Sequence, residues 1–183
     1  MQTIVLGSSS LTRAQLLEKF GIPFIQRDAG FDEETLAIRD PAHFVYHATK
    51  GKMQSYLDNW DLEVPVLCAD TVVTAQGEIL RKAKDKADAR RILELQSGNK
   101  VSIITCMIYK SKSYELIDLA STDYLFAPFS PDALDAYLQS DEWMGKAGAC
   151  MVEGFCKSYI QDVVGLESTA MGLSVERLIP FLS

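Results

Sequence analysis

The chain has 183 residues, 48% of them hydrophobic and 23% charged, with a formal net charge of −7. That suits one soluble domain over residues 1–183 with a proper core. The acidic balance excludes broad binding to nucleic acid or to an anionic membrane, while a local cluster of Lys and Arg can still hold a small anion. The four cysteines, Cys68, Cys106, Cys150 and Cys156, are scattered, with no C-x-x-C pair. Several lie in strand-like runs, so they read as reduced core residues of a cytoplasmic protein. Met1-Gln2-Thr3-Ile4-Val5-Leu6 reads as a strand rather than a signal peptide, and no stretch is long enough to span a membrane.

Residues 3–6 form a first strand. It runs into Gly7-Ser8-Ser9-Ser10 and then a helix over about residues 11–20, capped by Ser9 or Ser10 and ended by Gly21 and Pro23. Ala14, Leu16, Leu17 and Phe20 make its buried stripe. Strand, small-residue loop and helix N-terminus together form an anion cradle. Backbone N–H groups, the hydroxyls of Ser8, Ser9 and Ser10, and the helix dipole converge there. Arg13 in the first turn opposes the dipole unless an anion is near, which favours a phosphate. Residues 22–27 give a further strand, and Asp32, Glu33 and Glu34 an acidic loop. Asp40 as N-cap and Pro41 at N1 open a second helix that runs to about residue 60. His43 and His47 stand at i, i+4, but Phe44 replaces the zincin Glu and no third ligand is evident, so both read as structural or surface residues. Lys52 shares a helix face with Val45 and Tyr56, and either snorkels or aims its ammonium at the binding edge of the sheet.

Val66-Leu67-Cys68-Ala69-Asp70-Thr71-Val72-Val73 is a central-strand sequence with a carboxylate in its middle. Such a carboxylate is costly unless paired, hydrogen-bonded or bound to metal. Ligands of α/β sheets gather beyond the strands' carboxyl ends, so Asp70 is expected at a strand end or local break, facing a site. Residues 75–78 then read as a turn and 79–80 as a return strand, followed by Arg81-Lys82. Asp85 caps a helix to about residue 96, with Gly98 just past its end. Residues 101–109 and 114–126 are two long strands joined as a hairpin. Ser130-Pro131-Asp132 starts a helix with Leu134, Tyr137 and Leu138 inward. Gly145-Lys146-Ala147-Gly148 is a tight segment but not a Walker A loop. Residues 149–160 are strand-like around Glu153-Gly154, 162–166 a loop or short strand, and about 174–182 a closing helix. The fold class is α/β with a mixed sheet.

The outliers of this pattern are Ser8, Ser9, Ser10, Arg13, Glu33, Lys52, Asp70, Lys82 and Lys146. An anion cradle, several cations and two carboxylates suit phosphoryl chemistry on a polyphosphate. Leu6-Gly7-Ser8-Ser9-Ser10-Leu11-Thr12-Arg13, Cys68-Ala69-Asp70-Thr71-Val72-Val73, Leu95-Gln96-Ser97-Gly98, Lys146-Ala147-Gly148-Ala149 with Glu153-Gly154, and Val163-Val164-Gly165-Leu166 follow in order. In these the chain resembles the Maf family of nucleoside triphosphate pyrophosphatases, also called septum-formation-inhibitor proteins.

The resemblance implies the Maf/inosine-triphosphate-pyrophosphatase fold, an elongated mixed sheet flanked by helices with a central cleft. It implies hydrolysis of a nucleoside triphosphate to the monophosphate and pyrophosphate with a divalent metal, Mg or Mn, as house-cleaning of the nucleotide pool with a link to cell-division arrest. By motif match Asp70 is the proton acceptor, and Glu33, Lys52 and Lys82 are the other catalytic positions. Asp70 and Glu33 are the metal carboxylates. Ser8, Ser9, Ser10, Arg13 and Lys146 bind phosphate, and Thr12, Thr71 and Glu153 tune the base. The expected partners are the nucleotide and, as a further option, a second copy of the chain. The alternatives are an inosine-triphosphate-type purine enzyme and a non-catalytic nucleotide-sensing regulator. Leu11-Thr12-Arg13 departs from the family's usual Pro-Arg-Arg or Pro-Trp-Arg, Ala83 replaces a Pro after Lys82, and Glu167 replaces a Pro after Gly165-Leu166.

Overall fold

A computed structural model describes residues 2–182 of the chain. Strand β1 (Ile4–Leu6) is wholly buried and leads into helix α1 (Leu11–Lys19), where the Ser10 hydroxyl accepts the Arg13 N–H. Strand β2 (Phe24–Gln26) returns parallel to β1, which makes a β-α-β crossover. A 3-10 turn at Glu33–Thr35 is capped by Asp32. Helix α2 (Pro41–Asn59) starts where its signals place it: Asp40 accepts the His43 N–H and Pro41 holds N1.

Strand β3 (Val66–Ala75) runs parallel to β1 and turns back into β4 (Glu78–Leu80). Gln76 and Gly77 make that turn with φ of 51° and 81°, the left-handed pair a two-residue hairpin needs. Helix α3 (Lys86–Gln96) is capped by Asp85. Strands β5 (Lys100–Lys110) and β6 (Glu115–Phe126) follow, then helix α4 (Pro131–Gln139) with Leu134, Tyr137 and Leu138 buried. Strand β7 (Ile160–Val164) pairs antiparallel with β6. Helices α5 (Glu167–Ala170) and α6 (Val175–Leu178) and a 3-10 turn at Ile179–Phe181 complete the described chain. The strand order is β2-β1-β3-β5-β6-β7 with β4 attached to β3, a mixed sheet as expected.

Four expectations need correction. Asp70 is not at a strand end: it is buried inside the 10-residue β3. Of the strand-like residues 149–160, only Ile160 lies in a strand, as the first residue of β7. Gly148 and Ala149 turn the chain with φ of 71° and 55°, and Phe155–Tyr159 is a 3-10 helix. Nor are all four cysteines reduced. Cys150 and Cys156 are disulfide-bonded with Cα atoms 6.6 Å apart, a span a disulfide bridges, because the turn folds them together. Cys68 and Cys106 are free and buried, as read. The closing helix is interrupted, since Pro180 disfavours continued helix at Ile179 and α6 ends at Leu178.

Two compact units share these elements. One comprises Met1–Thr71, Ile104–Ser121 and Leu166–Ser183, the other Val72–Ile103 and Thr122–Gly165. The first has a core of Ile4, Leu6, Leu16, Leu17, Leu67, Met107 and Tyr109 closed by Leu173, Val175, Leu178 and Leu182. In the second, α3 packs on α4, and the Tyr137 ring stacks on Phe155 at 4.4 Å, while Phe129 meets Phe155 and Tyr159. Each such aromatic pair adds about 0.5–1.5 kcal/mol beyond its buried area.

Candidate active site

In the first unit the loop between β1 and α1 lies close against β3. A Cβ on Gly7 would sit 2.6 Å from Cys68 Sγ, so only glycine lets the backbone pass there, two residues from Asp70. Ser8 Oγ accepts the Ser10 N–H at 3.2 Å and Arg13 Nη1 at 3.1 Å. Ser10 is the helix cap, Ser9 is exposed and Thr12 is half-buried. Gln26 donates to the carbonyls of Ser8 and Ser10 at 2.8 and 3.3 Å, tying the loop to β2.

Arg13 does not point into solvent. It is 9% exposed, and gives Nε to the Gly172 carbonyl at 3.0 Å and Nη2 to Thr71 Oγ1 at 3.2 Å besides its bond to Ser8. Burial lowers its pKa from the ordinary arginine value, against the opposing charges of Asp70 and Glu33. Three of a guanidinium's five N–H donors are thus used inside the protein, and what is left is what an anion can use.

Lys52 comes up from α2 with its side chain 14% exposed, and its Nζ lies 2.5 Å from Asp70 Oδ1 and 3.5 Å from Glu33 Oε2. This ion pair is why β3 can carry a carboxylate mid-strand. Asp70 is 5% exposed, and burial raises its pKa above the ordinary 3.8 despite Lys52 and Arg13, with Glu33 adding to the rise. A buried carboxylate held above its usual range, beside a lysine, is a fit proton acceptor. Neighbouring Cys68 is inert, its thiol pushed up to about 12 by burial.

Two contributors escaped the sequence reading. A Cβ on Gly51 would meet the Phe31 ring at 2.3 Å, so the glycine lets Phe31 lie on α2 and brings the loop of Glu33 to Lys52. Glycine inside a helix was the available signal. In the second unit, buried Gln96 donates to the Gly148 carbonyl at 2.7 Å. Gly148 N–H reaches the carbonyls of Leu80 and Arg81, and Lys82 forms an antiparallel bridge with Ala147. Lys82 and the Lys146-Ala147-Gly148 segment are therefore one piece of structure. Lys82 is exposed, Lys146 donates to the Glu142 carbonyl, and Glu153 is exposed on the loop that the Cys150–Cys156 bond closes. His43 and His47 are exposed on α2.

The first unit thus gathers Ser8, Ser10, Arg13, Glu33, Lys52, Asp70 and Thr71, and the second joins Lys82 to the Lys146 segment. A serine loop at a helix N-terminus, a buried arginine and a lysine between two carboxylates define an α/β protein equipped for phosphate chemistry. The family described as Maf-like protein matches residues 3–183, and the chain belongs to that family. A nucleoside triphosphate pyrophosphatase of a Nitratiruptor species is 58% identical over 177 residues, covering 96% of both chains. One of Helicobacter pylori (strain ATCC 700392 / 26695), with the same name, is 37% identical over 96% of this chain and 93% of its own. Another of that name, from Campylobacter jejuni subsp. jejuni serotype O:23/36 (strain 81-176), is 34% identical over 98% of this chain and 100% of its own.

Proposed function

We infer that the chain is a nucleoside triphosphate pyrophosphatase, a hydrolase that turns a nucleoside triphosphate and water into the monophosphate and pyrophosphate. Family membership carries the activity, and the Lys52–Asp70 pair carries the reading of the site. Asp70 accepts the proton of the attacking water as its oxygen bonds to the α-phosphorus and the bond to the β-phosphate oxygen breaks. Lys52 keeps Asp70 ionised and oriented. Arg13, Ser8, Ser9 and Ser10 neutralise and hold the phosphates. Lys82 and Lys146 are assigned to the same charge neutralisation on the motif match alone.

A divalent cation, Mg or Mn, belongs to this proposal. Asp70 and Glu33 both face the one ammonium of Lys52, so their charges already converge. Among the described residues there is no group of three or more His, Cys, Asp or Glu that could hold an ion. Two carboxylates completed by substrate phosphates and water is a usual set for Mg, so the residues fit. When bound, the cation neutralises charge on the phosphates.

Thr12, Thr71 and Glu153 are proposed to set base preference. Ionised Glu153 only accepts, so it favours bases that present donors, such as guanine or the cytosine amino group. Among the described residues no helix is long and apolar enough to cross a membrane. A cytoplasmic site of action follows from the nucleotide substrate, and the Cys150–Cys156 bond is the feature that argues otherwise. A homodimer is proposed on the exposed Leu125, Val163 and Val164 of β6 and β7, and a monomeric mass by sedimentation would reject it.

The deciding experiment is pyrophosphate release from UTP, dTTP, CTP, GTP, 7-methyl-GTP and inosine triphosphate with Mg²⁺ or Mn²⁺, with and without chelator. Turnover lost on chelation is expected, and no turnover with any nucleotide overturns the reading. Glu153→Gln should shift kcat/KM toward UTP and dTTP, since a site built for one hydrogen-bond pattern rejects its complement. An unchanged ranking means Glu153 does not read the base.

A further inference from the structure

We propose that Thr105 is a positioning residue that fixes the direction of the Thr71 hydroxyl, so that Thr71 offers the nucleotide an acceptor and never a donor. This rests on the reading that Thr71 meets the substrate. Thr105 is wholly buried in β5, while Thr71 is half-buried in β3. Their hydroxyl oxygens lie 2.9 Å apart, and distance alone leaves either as donor. The neighbours remove that freedom. Thr105 Oγ1 is 2.8 Å from the Thr169 carbonyl, which can only accept, so the single Thr105 hydrogen is used there. Thr71 must then donate its own hydrogen to Thr105.

At its other side Thr71 Oγ1 accepts Nη2 of Arg13 at 3.2 Å. An arginine has no acceptor, so this bond runs one way too. The chain is therefore directed throughout: Arg13 to Thr71 to Thr105 to the Thr169 carbonyl. Its anchor is fixed, because the Thr169 carbonyl also takes the Gly172 N–H at 3.0 Å. Gly172 closes the other end by accepting Arg13 Nε, and its missing side chain is what leaves room. With φ at 106°, a Cβ there would meet Arg13 Nε at 3.1 Å and Thr71 Oγ1 at 3.4 Å.

Thr71 keeps one lone pair. A substrate group that meets it must be a donor, an N–H of the base or an O–H of the sugar. A carbonyl of the base or an oxygen of the phosphates meets the wrong pole. Deleting the Thr105 hydroxyl releases the Thr71 hydrogen and lets Thr71 donate. The residue that chooses the substrate's hydrogen-bond partner is then one the substrate never touches.

The test measures kcat and KM separately for the nucleotide panel on wild type, Thr105→Val and Thr105→Ser. In Thr105→Val, nucleotides served by an acceptor should lose about tenfold in kcat/KM, the worth of one hydrogen bond, and the ranking should move toward those presenting an acceptor. Thr105→Ser keeps the hydroxyl and should restore the wild-type ranking. A Val variant with unchanged ranking, or a Ser variant that ranks like Val, overturns the proposal. Should Thr105→Val fail to fold, wild type and Thr71→Val are compared on UTP against 3-methyl-UTP, on GTP against 1-methyl-GTP, and on each 2′-deoxy form. One donor deletion should cost wild type about tenfold and Thr71→Val nothing. Equal costs in both proteins overturn it. Absence of turnover in wild type instead rejects the enzymatic reading itself.

Discussion

Asp70 binds a proton more readily folded than unfolded. Its contribution to stability is therefore fully present below about pH 3.8 and is lost as pH rises through its higher folded value. At neutral pH the ionised carboxylate works against the fold, so Asp70→Asn should melt no lower than wild type while kcat drops by roughly 10²–10⁴-fold, the share of one general base. Near-wild-type kcat in the folded Asn variant would remove Asp70 from the chemistry. Activity has the opposite pH sense, since a base must be ionised. The acid limb of kcat/KM should lie above an ordinary aspartate's range. In Lys52→Ala it should move higher still, because Lys52 is the largest influence holding Asp70 ionised. A limb that stays in place would mean that Lys52 acts elsewhere. A buried carboxylate was legible in the run from Val66 to Val73, but its place mid-strand was not, since its partner stands 18 residues earlier on another element. Arg13 was legible as an outlier for the dipole reason, whereas its partners Thr71 and Gly172 come from distant chain.

Helix α2 carries a contact that decides where the acidic loop lies. Gly51→Ala gains about 1 kcal/mol in helix propensity, yet its methyl would lie 2.3 Å from the Phe31 ring. The ring must leave, and Glu33 with it. We expect Tm to change little and kcat/KM to fall by about 10²-fold, the cost of an ångström-scale misplacement. Unaltered kinetics would show that Glu33 need not approach Lys52. The segment from Cys150 to Cys156 makes its own prediction. Unfolded, unreduced protein should expose two reactive thiols, and reduced protein four. Four without reductant would mean the pair is open. Elements with local signals were readable: Asp40, Asp85 and Ser10 each cap their helix with a side-chain bond. Residues 149–160 were not, because their apolar pattern resembles a strand and only the left-handed Gly148 and Ala149 reveal the turn.

The unit that holds Asp70 is assembled from three separate stretches of chain. Leu173, Val175, Leu178 and Leu182 pack with Ile4, Leu6 and Leu67, so deletion from Leu166 onward should strip the apolar face of β1 and β3. Such a chain should lose its near-UV circular dichroism and yield to protease at residues 2–71, whereas native-like resistance would mean the closing segment is dispensable. The mixed sheet was foreseeable from the mixture of β-α-β and hairpin sequence. This closure was not, because four apolar residues near one end do not name the strand they will cover.

The arrangement also bears on how the protein is made. Asp70 is synthesised about 100 residues before Gly172, which at cellular elongation speeds is roughly 5–20 s. Throughout that interval the nascent chain has its carboxylate and its lysine but neither the Thr169 and Gly172 carbonyls nor the leucines that seal β1. A nascent chain that has not yet reached Thr169 and Gly172 therefore lacks the two carbonyls that hold Thr105 and Arg13, and the order of synthesis leaves the carboxylate waiting for the stretch that completes its surroundings.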